Sequence, residues 1–437
     1  MIALMNELAR ELNRKLEGTV VERLLSSFGK RFYFPKGIVA QSAEAKKHAH
    51  RLNATIGMAT KGGQPMCMPS IRRLVPELEP QEIVSYAPTG GNPELRELWR
   101  QEMIQKNPAL QGRRISLPFV VAGLTHGIAL LADLFADAGD TVVVPDMFWG
   151  NYRLVFEGRI QARVETFPFF GPDGGLNLAG LREALVRGAG ASSRPGKVIL
   201  ILNFPNNPTG YSPTRAEAAG IQEALDERAR GGTDLLVIFD DAYFGLFYEA
   251  DTYPHSLFAE ASALHQNLLA VKVDGPTKEN LVWGFRVGFL SFGSPGLSQE
   301  HHDALAQKLM GALRSSVSNC SQVAQSLLIR AMKSPTYAEE KQEAFAILKE
   351  RYLRSRQLLA ALSPALSPLP FNSGYFLTFL LADGGAEDLR QKLLHEYGIG
   401  TISIQDRYLR VAYSSVEVDR LEELYTTIAE AAKALKG

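Results

Sequence analysis

Short apolar runs recur through the middle of this chain, at residues 119–122, 141–144, 162–167, 197–203, 235–240 and 268–273, and a seventh β-prone run follows at 287–292. Each is too short for a globular helix and is rich in Val, Ile, Leu and Phe. Helical stretches such as 125–138 and 214–230 separate most of them. Antiparallel neighbours can be joined by tight turns, whereas parallel ones need a long crossover, usually a helix. The alternation therefore predicts an α/β fold with a large domain built on a mostly parallel, seven-stranded sheet, covered by helices on both faces.

Past residue 292 helical character takes over, at 298–313, 322–333 and a long charged stretch at 337–362. Prolines at 364, 368 and 370 then break the chain. Short strand-like pieces follow from Asn372 to Ala412, and a helix is expected at 416–435, together a smaller α+β domain. The segment 1–30 reads as one amphipathic helix, because Glu7, Arg10, Glu11, Arg14 and Lys15 punctuate its leucines. The expected division is 1–65 as an N-terminal helix and segment joining the small domain, 66–335 as the large domain and 336–437 as the small one. Charged residues 339–356 read as a solvated helix face with i,i+4 pairs.

In an open α/β sheet, ligands bind beyond the carboxyl ends of the strands. The chemically useful residues of this chain fall there. After the first run, Gly123-Leu124-Thr125-His126 opens a helix, whose free amides suit a phosphate. After the second comes a loop carrying Trp149, which could stack on an aromatic ligand or be buried in the core. Asn206-Asn207-Pro208-Thr209-Gly210 follows the fourth run, and Asp240-Asp241-Ala242-Tyr243 ends the fifth. After the sixth stands Lys278, with Arg286 eight residues on. A lysine at such a sheet mouth can condense with a carbonyl, while a nearby guanidinium pairs with phosphate.

Asn207-Pro208-Thr209-Gly210, Asp240-x-Ala242-Tyr243, and Lys278 with Arg286 together resemble the class I/II aminotransferases, pyridoxal 5′-phosphate enzymes of the aspartate-aminotransferase fold (fold type I). The resemblance runs from about Leu52 to the C-terminus. It implies that Lys278 is the Schiff-base lysine and proton carrier, and that Asp240 is the carboxylate facing the pyridine nitrogen. Tyr243 and Asn207 would bond the cofactor's phenolic oxygen, and Trp149 would stack on its ring. The amides of Leu124, Thr125 and His126, with Arg286, would hold the phosphate. Arg410 would fork onto the substrate α-carboxylate, with Gly57 near it. Tyr86 would reach the neighbouring subunit's phosphate, implying a homodimer with shared active sites. Arg314, near the end of a helix, resembles the arginine that binds the distal carboxylate of acidic substrates across that interface; a plain helix-terminal arginine is the alternative. One departure stands out. Many relatives place a serine three residues before the lysine, where this chain has Gly275, so that Thr277 or a water would supply the hydroxyl.

The implied activity is exchange of an amino group between an amino acid and a 2-oxo acid, 2-oxoglutarate among them, by a ping-pong mechanism. A carbon–sulfur or other β-eliminating lyase shares the fold and cofactor and is the first alternative. A non-catalytic ligand sensor is the second, though only about fifty residues precede Leu52 and no helix-turn-helix pattern lies in them. Charge and cysteine content narrow the setting. The 437 residues carry 47 basic and 47 acidic side chains, which argues against nucleic acid or an anionic membrane as partner. No apolar run approaches the ~20 residues of a membrane span. Cys67 and Cys320 have no partner spacing, as expected of reduced thiols in a cytoplasmic protein. The pairs His48/His50 and His301/His302 lie on polar stretches with no carboxylate or thiol at ligand spacing, and are expected to be solvated, with no metal bound.

Overall fold

A computed structural model describes residues 7–33, 60–61, 64–65, 77–361, 367–381 and 384–435. Its large sheet has seven strands: β1 (Phe119–Val121), β2 (Thr141–Pro145), β3 (Arg163–Phe167), β4 (Lys197–Asn203), β5 (Asp234–Asp240), β6 (Leu268–Asp274) and β7 (Gly288–Gly293). They lie in the spatial order β1-β7-β6-β5-β4-β2-β3. Only β7 runs against its neighbours, pairing antiparallel with both β1 and β6. The central strands β4 and β6 are buried along their whole length, which is why they read as unbroken apolar runs instead of alternating ones. β3 at the edge keeps Arg163 and Glu165, whose charges guard its unpaired backbone.

Helices cover the sheet. Seen in chain order, α1 (Glu7–Lys15), α2 (Val20–Leu24), α3 (Ser27–Arg31), α4 (Pro93–Lys106), α5 (Leu124–Phe135), α6 (Leu178–Ala191), α7 (Arg215–Arg230) and α8 (Gln299–Ser316) belong to this part. α7 begins in a reciprocal cap: Thr214 accepts from the amide of Glu217, whose side chain accepts in turn from the amide of Thr214. The small domain carries α9 (Tyr337–Ala361), α10 (Ala386–Tyr397) and α11 (Leu421–Ala434) around a second sheet. That sheet consists of β8 (Ser367–Pro368), β9 (Leu377–Leu380), β10 (Ile402–Ile404) and β11 (Tyr408–Val411), antiparallel throughout, in the order β8-β9-β11-β10. The α/β expectation with a smaller α+β domain therefore holds.

Three expectations need correction. The N-terminal segment is not one helix. It breaks at Gly18, whose φ of 78° is left-handed, and again at Ser26. Thr19 and Ser26 cap the next two helices with their hydroxyls. These helices do not join the small domain either. α1 packs on α8, α2 on β5 and β6, and α3 on α5. Arg23 bonds Asp234 at 2.5 Å, and the Ser26 hydroxyl donates to the Leu134 carbonyl at 2.8 Å. The apolar side of this segment thus finishes the large domain's core, contributing Leu12, Leu16, Val20, Val21, Leu24 and Leu25. Finally, the charges of α9 do not form i,i+4 pairs among themselves. Lys341 pairs with Glu102 and Glu279, Arg351 with Glu417, and Arg354 with Glu422, so the helix is pinned to elements on both sides of it.

The two domains are stitched together where the small domain's first long strand begins. The amides of Asn372 and Ser373 both donate to the Gly210 carbonyl, at 3.0 and 2.9 Å. Gly210 has φ of 74°, and a Cβ there would stand 1.9 Å from the Phe376 carbonyl oxygen. Glycine is required at this crossing because no side chain fits between the two backbones. The Thr378 hydroxyl adds a bond to the Pro208 carbonyl at 2.8 Å.

Candidate active site

The carboxyl ends of β4, β5 and β6 open into a cavity of about 230 Å³ lined by Leu124, Thr125, Trp149, Asn203, Asn207, Asp240, Ala242, Tyr243, Thr277, Lys278 and Arg286. A larger cavity, about 670 Å³, lies elsewhere between α4 and α9. Its charged groups Glu102, Lys106, Glu279 and Lys341 are already paired with one another. The smaller cavity is where unlike charged and polar groups converge, and it is the candidate chemical centre.

Lys278 follows β6 on a turn and is half-buried. Its ammonium lies 5.0 Å from the centre of the Tyr243 ring. Burial pulls its pKa down; Asp240 opposes that and Arg286 reinforces it. A lowered lysine supplies more free amine, the form that attacks a carbonyl. Asp240 closes β5 and is buried. Burial pushes its carboxyl up, while Tyr152, Lys278 and the Ala242 amide favour the anion. The Tyr152 hydroxyl donates to Asp240 Oδ2 at 2.5 Å and the Ala242 amide to Oδ1 at 3.2 Å. Asp241, one residue on, faces away: it pairs with buried Lys272 and accepts from the Ser256 hydroxyl at 2.5 Å.

The two asparagines after β4 divide their work. Asn206 builds the turn, accepting from the Thr209 amide and hydroxyl and donating to the Met147 carbonyl at 3.1 Å. Asn207 faces the site, and its Oδ1 accepts from Arg410 Nη1 at 2.8 Å. Arg410 on β11 also lies over the Phe376 ring, 4.4 Å from its centre. Its Nε is buried and has no partner among the described residues. A half-buried guanidinium with an unused N–H suits an oxyanion. Tyr243 stays protonated, because burial and the Asp240 charge both push its pKa up.

The start of α5 supplies the anion-binding side. Gly123 stands at its N-terminus with φ of 81°, and a Cβ there would lie 2.3 Å from Arg286 Nη2. The missing side chain lets the guanidinium lie across the helix terminus, adding its charge to the open amides. The His126 ring turns elsewhere: Nδ1 accepts from the Ala122 amide at 3.1 Å, and Nε2 faces Ser316 Oγ at 3.0 Å. Its side chain is thereby committed to Ala122 and Ser316. Gly275 is explained by packing. A Cβ at this position would stand 3.0 Å from both Gly288 Cα and the Val287 oxygen, and 3.1 Å from Leu124 Cδ1. A serine would crowd the backbone there, whereas Thr277 is buried and lines the cavity.

Other expected residues lie apart. Tyr86 is 72% exposed and Arg314 is exposed, its Nη1 donating to Ser318 Oγ at 2.5 Å. Neither lines the cavity of its own chain, so both could act only across an interface. Gly57, Cys67, His48 and His50 lie outside the described residues. The expectation that His301 and His302 are solvated needs correction: His301 caps α8, its Nδ1 accepting from the Ser298 amide at 3.0 Å. His302 is buried, and burial drops its pKa to about 4. Cys320 is buried and pushed up to about 12, an inert thiol. Sequence reasoning missed Tyr152, three residues past Trp149, and Asn203, whose Nδ2 donates to the Asp240 carbonyl oxygen at 2.7 Å. An Asn ending an apolar strand was a signal for the second; nothing local marked the first.

Among the described residues, no group of three or more His, Cys, Asp or Glu could hold a metal, and no helix is long and apolar enough to cross a membrane. The fold and site together define a class: an α/β protein whose sheet mouth gathers a half-buried lysine, a buried carboxylate and an arginine around one cavity. The chain belongs to the aminotransferase class I and II family, which matches residues 52–428. It is 28% identical over 215 residues to the aspartate/prephenate aminotransferase of Thermus thermophilus, covering 48% of this chain and 49% of that one. With a cytoplasmic aspartate aminotransferase isozyme of Arabidopsis thaliana it shares 26% over 200 residues, 45% of this chain and 47% of the relative. The chain thus spans about half the length of these curated relatives. The fold is similar to that of an aminotransferase from Anaerococcus prevotii, with TM-score 0.73 and 24% identity over 98% of this chain and 96% of that one.

Proposed function

We propose that this protein is a pyridoxal-phosphate-dependent aminotransferase, moving an amino group from an amino acid to a 2-oxo acid in a ping-pong cycle. The observation that carries the reading is the convergence, at one sheet mouth, of Lys278, the Asp240–Tyr152 pair, Arg286 across the α5 terminus, and Arg410 with an unused N–H. These residues fit the cofactor on their own chemistry. Leu124, Thr125, His126, Thr277 and Arg286 would hold the phosphate, Trp149 would cover the ring, and Asn207 and Tyr243 would donate to its phenolic oxygen. When bound, pyridoxal phosphate supplies a carbonyl for an amine and a sink for negative charge at the substrate's Cα.

The chain's own residues do the rest. Lys278, its pKa lowered by burial, offers a free amine and then takes and returns the substrate's Cα proton. Asp240, whose anion the Tyr152 hydroxyl favours against burial, would favour a proton on the pyridine nitrogen. Arg410 forks onto the substrate α-carboxylate, with Asn207 fixing the guanidinium plane. Tyr86 and Arg314, both exposed in one chain, act in the neighbouring site of a homodimer, with Arg314 taking the distal carboxylate of 2-oxoglutarate. We place the protein in the cytoplasm.

The test is a set of half-reactions. The cofactor-loaded protein, mixed with single amino acids, should lose its visible absorbance and release a 2-oxo acid. Steady release of ammonia and pyruvate would mean an eliminating lyase instead. Lys278→Ala should lose both the visible absorbance and turnover while keeping its circular dichroism. Wild-type turnover in that variant would overturn the assignment.

A further inference from the structure

The backbone of the reactive lysine is gripped from the small domain. The Tyr375 hydroxyl donates to the Lys278 carbonyl oxygen at 2.8 Å. Among the described residues the same oxygen accepts one backbone bond, from the Leu281 amide at a longer 3.3 Å. Tyr375 is buried, and its ring meets the Tyr243 ring edge-on at 5.3 Å. The next residue, Phe376, packs on Tyr243 at 5.5 Å and lies beneath Arg410. Both residues lead directly into β9, which pairs with β11 so that Thr378 stands opposite Arg410. One stretch of chain therefore touches the lysine turn, the tyrosine under the lysine and the arginine strand.

This juxtaposition has a physical consequence. The turn after Lys278 contains two residues in left-handed backbone, Leu281 with φ of 58° and Arg286 with φ of 52°. Non-glycine residues adopt that conformation only where the surroundings hold them there. Downstream of the lysine, Glu279 is tied to Lys106 and Lys341, and Asn280 Nδ2 donates to the Tyr337 hydroxyl at 2.6 Å. At the lysine itself, the short bond from outside the turn is the one from Tyr375.

Resting on the proposed role of Lys278, we infer that Tyr375 is a positioning residue: its hydroxyl locks the Lys278 turn to the strand pair that carries Arg410. The amine is then aimed at the Cα proton in register with the carboxylate-binding arginine. Orientation of this kind acts on the rate of the chemical step more than on substrate affinity.

The experiment compares Tyr375→Phe, which removes the hydroxyl and keeps the ring, with Tyr413→Phe. Tyr413 donates to the Gly374 carbonyl at 2.8 Å, one residue before Tyr375, and never meets the lysine. For Tyr375→Phe the expected result is a fall in kcat of about tenfold with KM for the amino donor nearly unchanged. Amide hydrogen exchange in the cofactor-free protein is the second readout. Exchange at residues 279–282 should quicken by about tenfold in Tyr375→Phe, reflecting a loosened turn. Tyr413→Phe should show lowered thermal stability with neither change. Wild-type kcat and exchange in Tyr375→Phe, or equal changes in both variants, would overturn the inference. Lys278→Ala keeps the two readings apart. Wild-type turnover in Lys278→Ala defeats the proposed function, whereas its loss alongside an unaltered Tyr375→Phe defeats only the role of Tyr375.

Discussion

Replacing Tyr152 by Phe removes one oxygen from the heart of the site. In the wild type that oxygen donates to Asp240 Oδ2 at 2.5 Å, and both residues are buried. Burial pushes the Asp240 carboxyl up; the Tyr152 bond, the Lys278 charge and the Ala242 amide pull it down. The variant deletes the leading downward contribution and leaves the upward one in place, so the carboxyl must rise further. Hydrogen bonds to charged groups are worth ~1.5–3 kcal/mol, and one pH unit corresponds to ~1.4 kcal/mol. The acid limb of the rate profile should therefore move up by about one to two pH units. The sign follows from which form works: the anion is active, activity is lost as pH falls through the Asp240 pKa, and that loss now sets in at higher pH. Below the wild-type Asp240 pKa the rate of Cα deprotonation should fall by about ten- to a hundredfold, and the loss should be recovered as pH rises past the shifted limb. Single-turnover half-reactions across about pH 5 to 9 measure this directly. An acid limb that stays where it is in the wild type would refute the reasoning, as would an equal loss at every pH. The first would mean that Asp240 does not need Tyr152, the second that Tyr152 serves only to pack the site.

Three further outcomes are expected. Gly275→Ser should lower thermal stability and speed cofactor loss, by about 1–3 kcal/mol of overpacking, because its Cβ meets backbone at 3.0 Å on two sides. An unchanged melting curve with tighter cofactor would show that the serine fits after all. Asp241→Asn takes from buried Lys272 its nearest carboxylate, leaving Asp274 at 3.4 Å, and should cost about 3–5 kcal/mol of stability in denaturant titrations. Its turnover per folded site should stay near wild type, while Asp240→Ala loses turnover; the opposite pattern would exchange their roles. Lys308 is buried against the carbonyls of Gly29, Lys30 and Phe32 at 3.1, 3.2 and 3.0 Å, and burial drops its pKa to about 8. Above that pH the unfolded chain holds this proton more tightly than the folded one, so wild-type stability should gain on Lys308→Met as pH rises from about 8 toward 10. Parallel curves for the two proteins would show that Lys308 is not a strained cation.

Much of the fold was legible in the residues alone, because strands buried on both faces must be apolar along their length. The runs 197–203 and 268–273 needed no partner to be recognised, and the rule that sites form beyond strand ends then picked out Asn207, Asp240 and Lys278. What stayed hidden depends on distances between parts of the chain far apart in sequence. Tyr152 is 88 residues from Asp240 and Tyr375 is 97 from Lys278, so no local pattern announces either pair. The N-terminal helices show the same limit. Periodicity revealed that they have an apolar side, but which surface would receive it was decided by the grooves at α5 and α8. Gly275 is the clearest case. In the sequence it is only a missing serine; in three dimensions it is the point where β6, β7 and the start of α5 approach so closely that a side chain would be crowded on three sides.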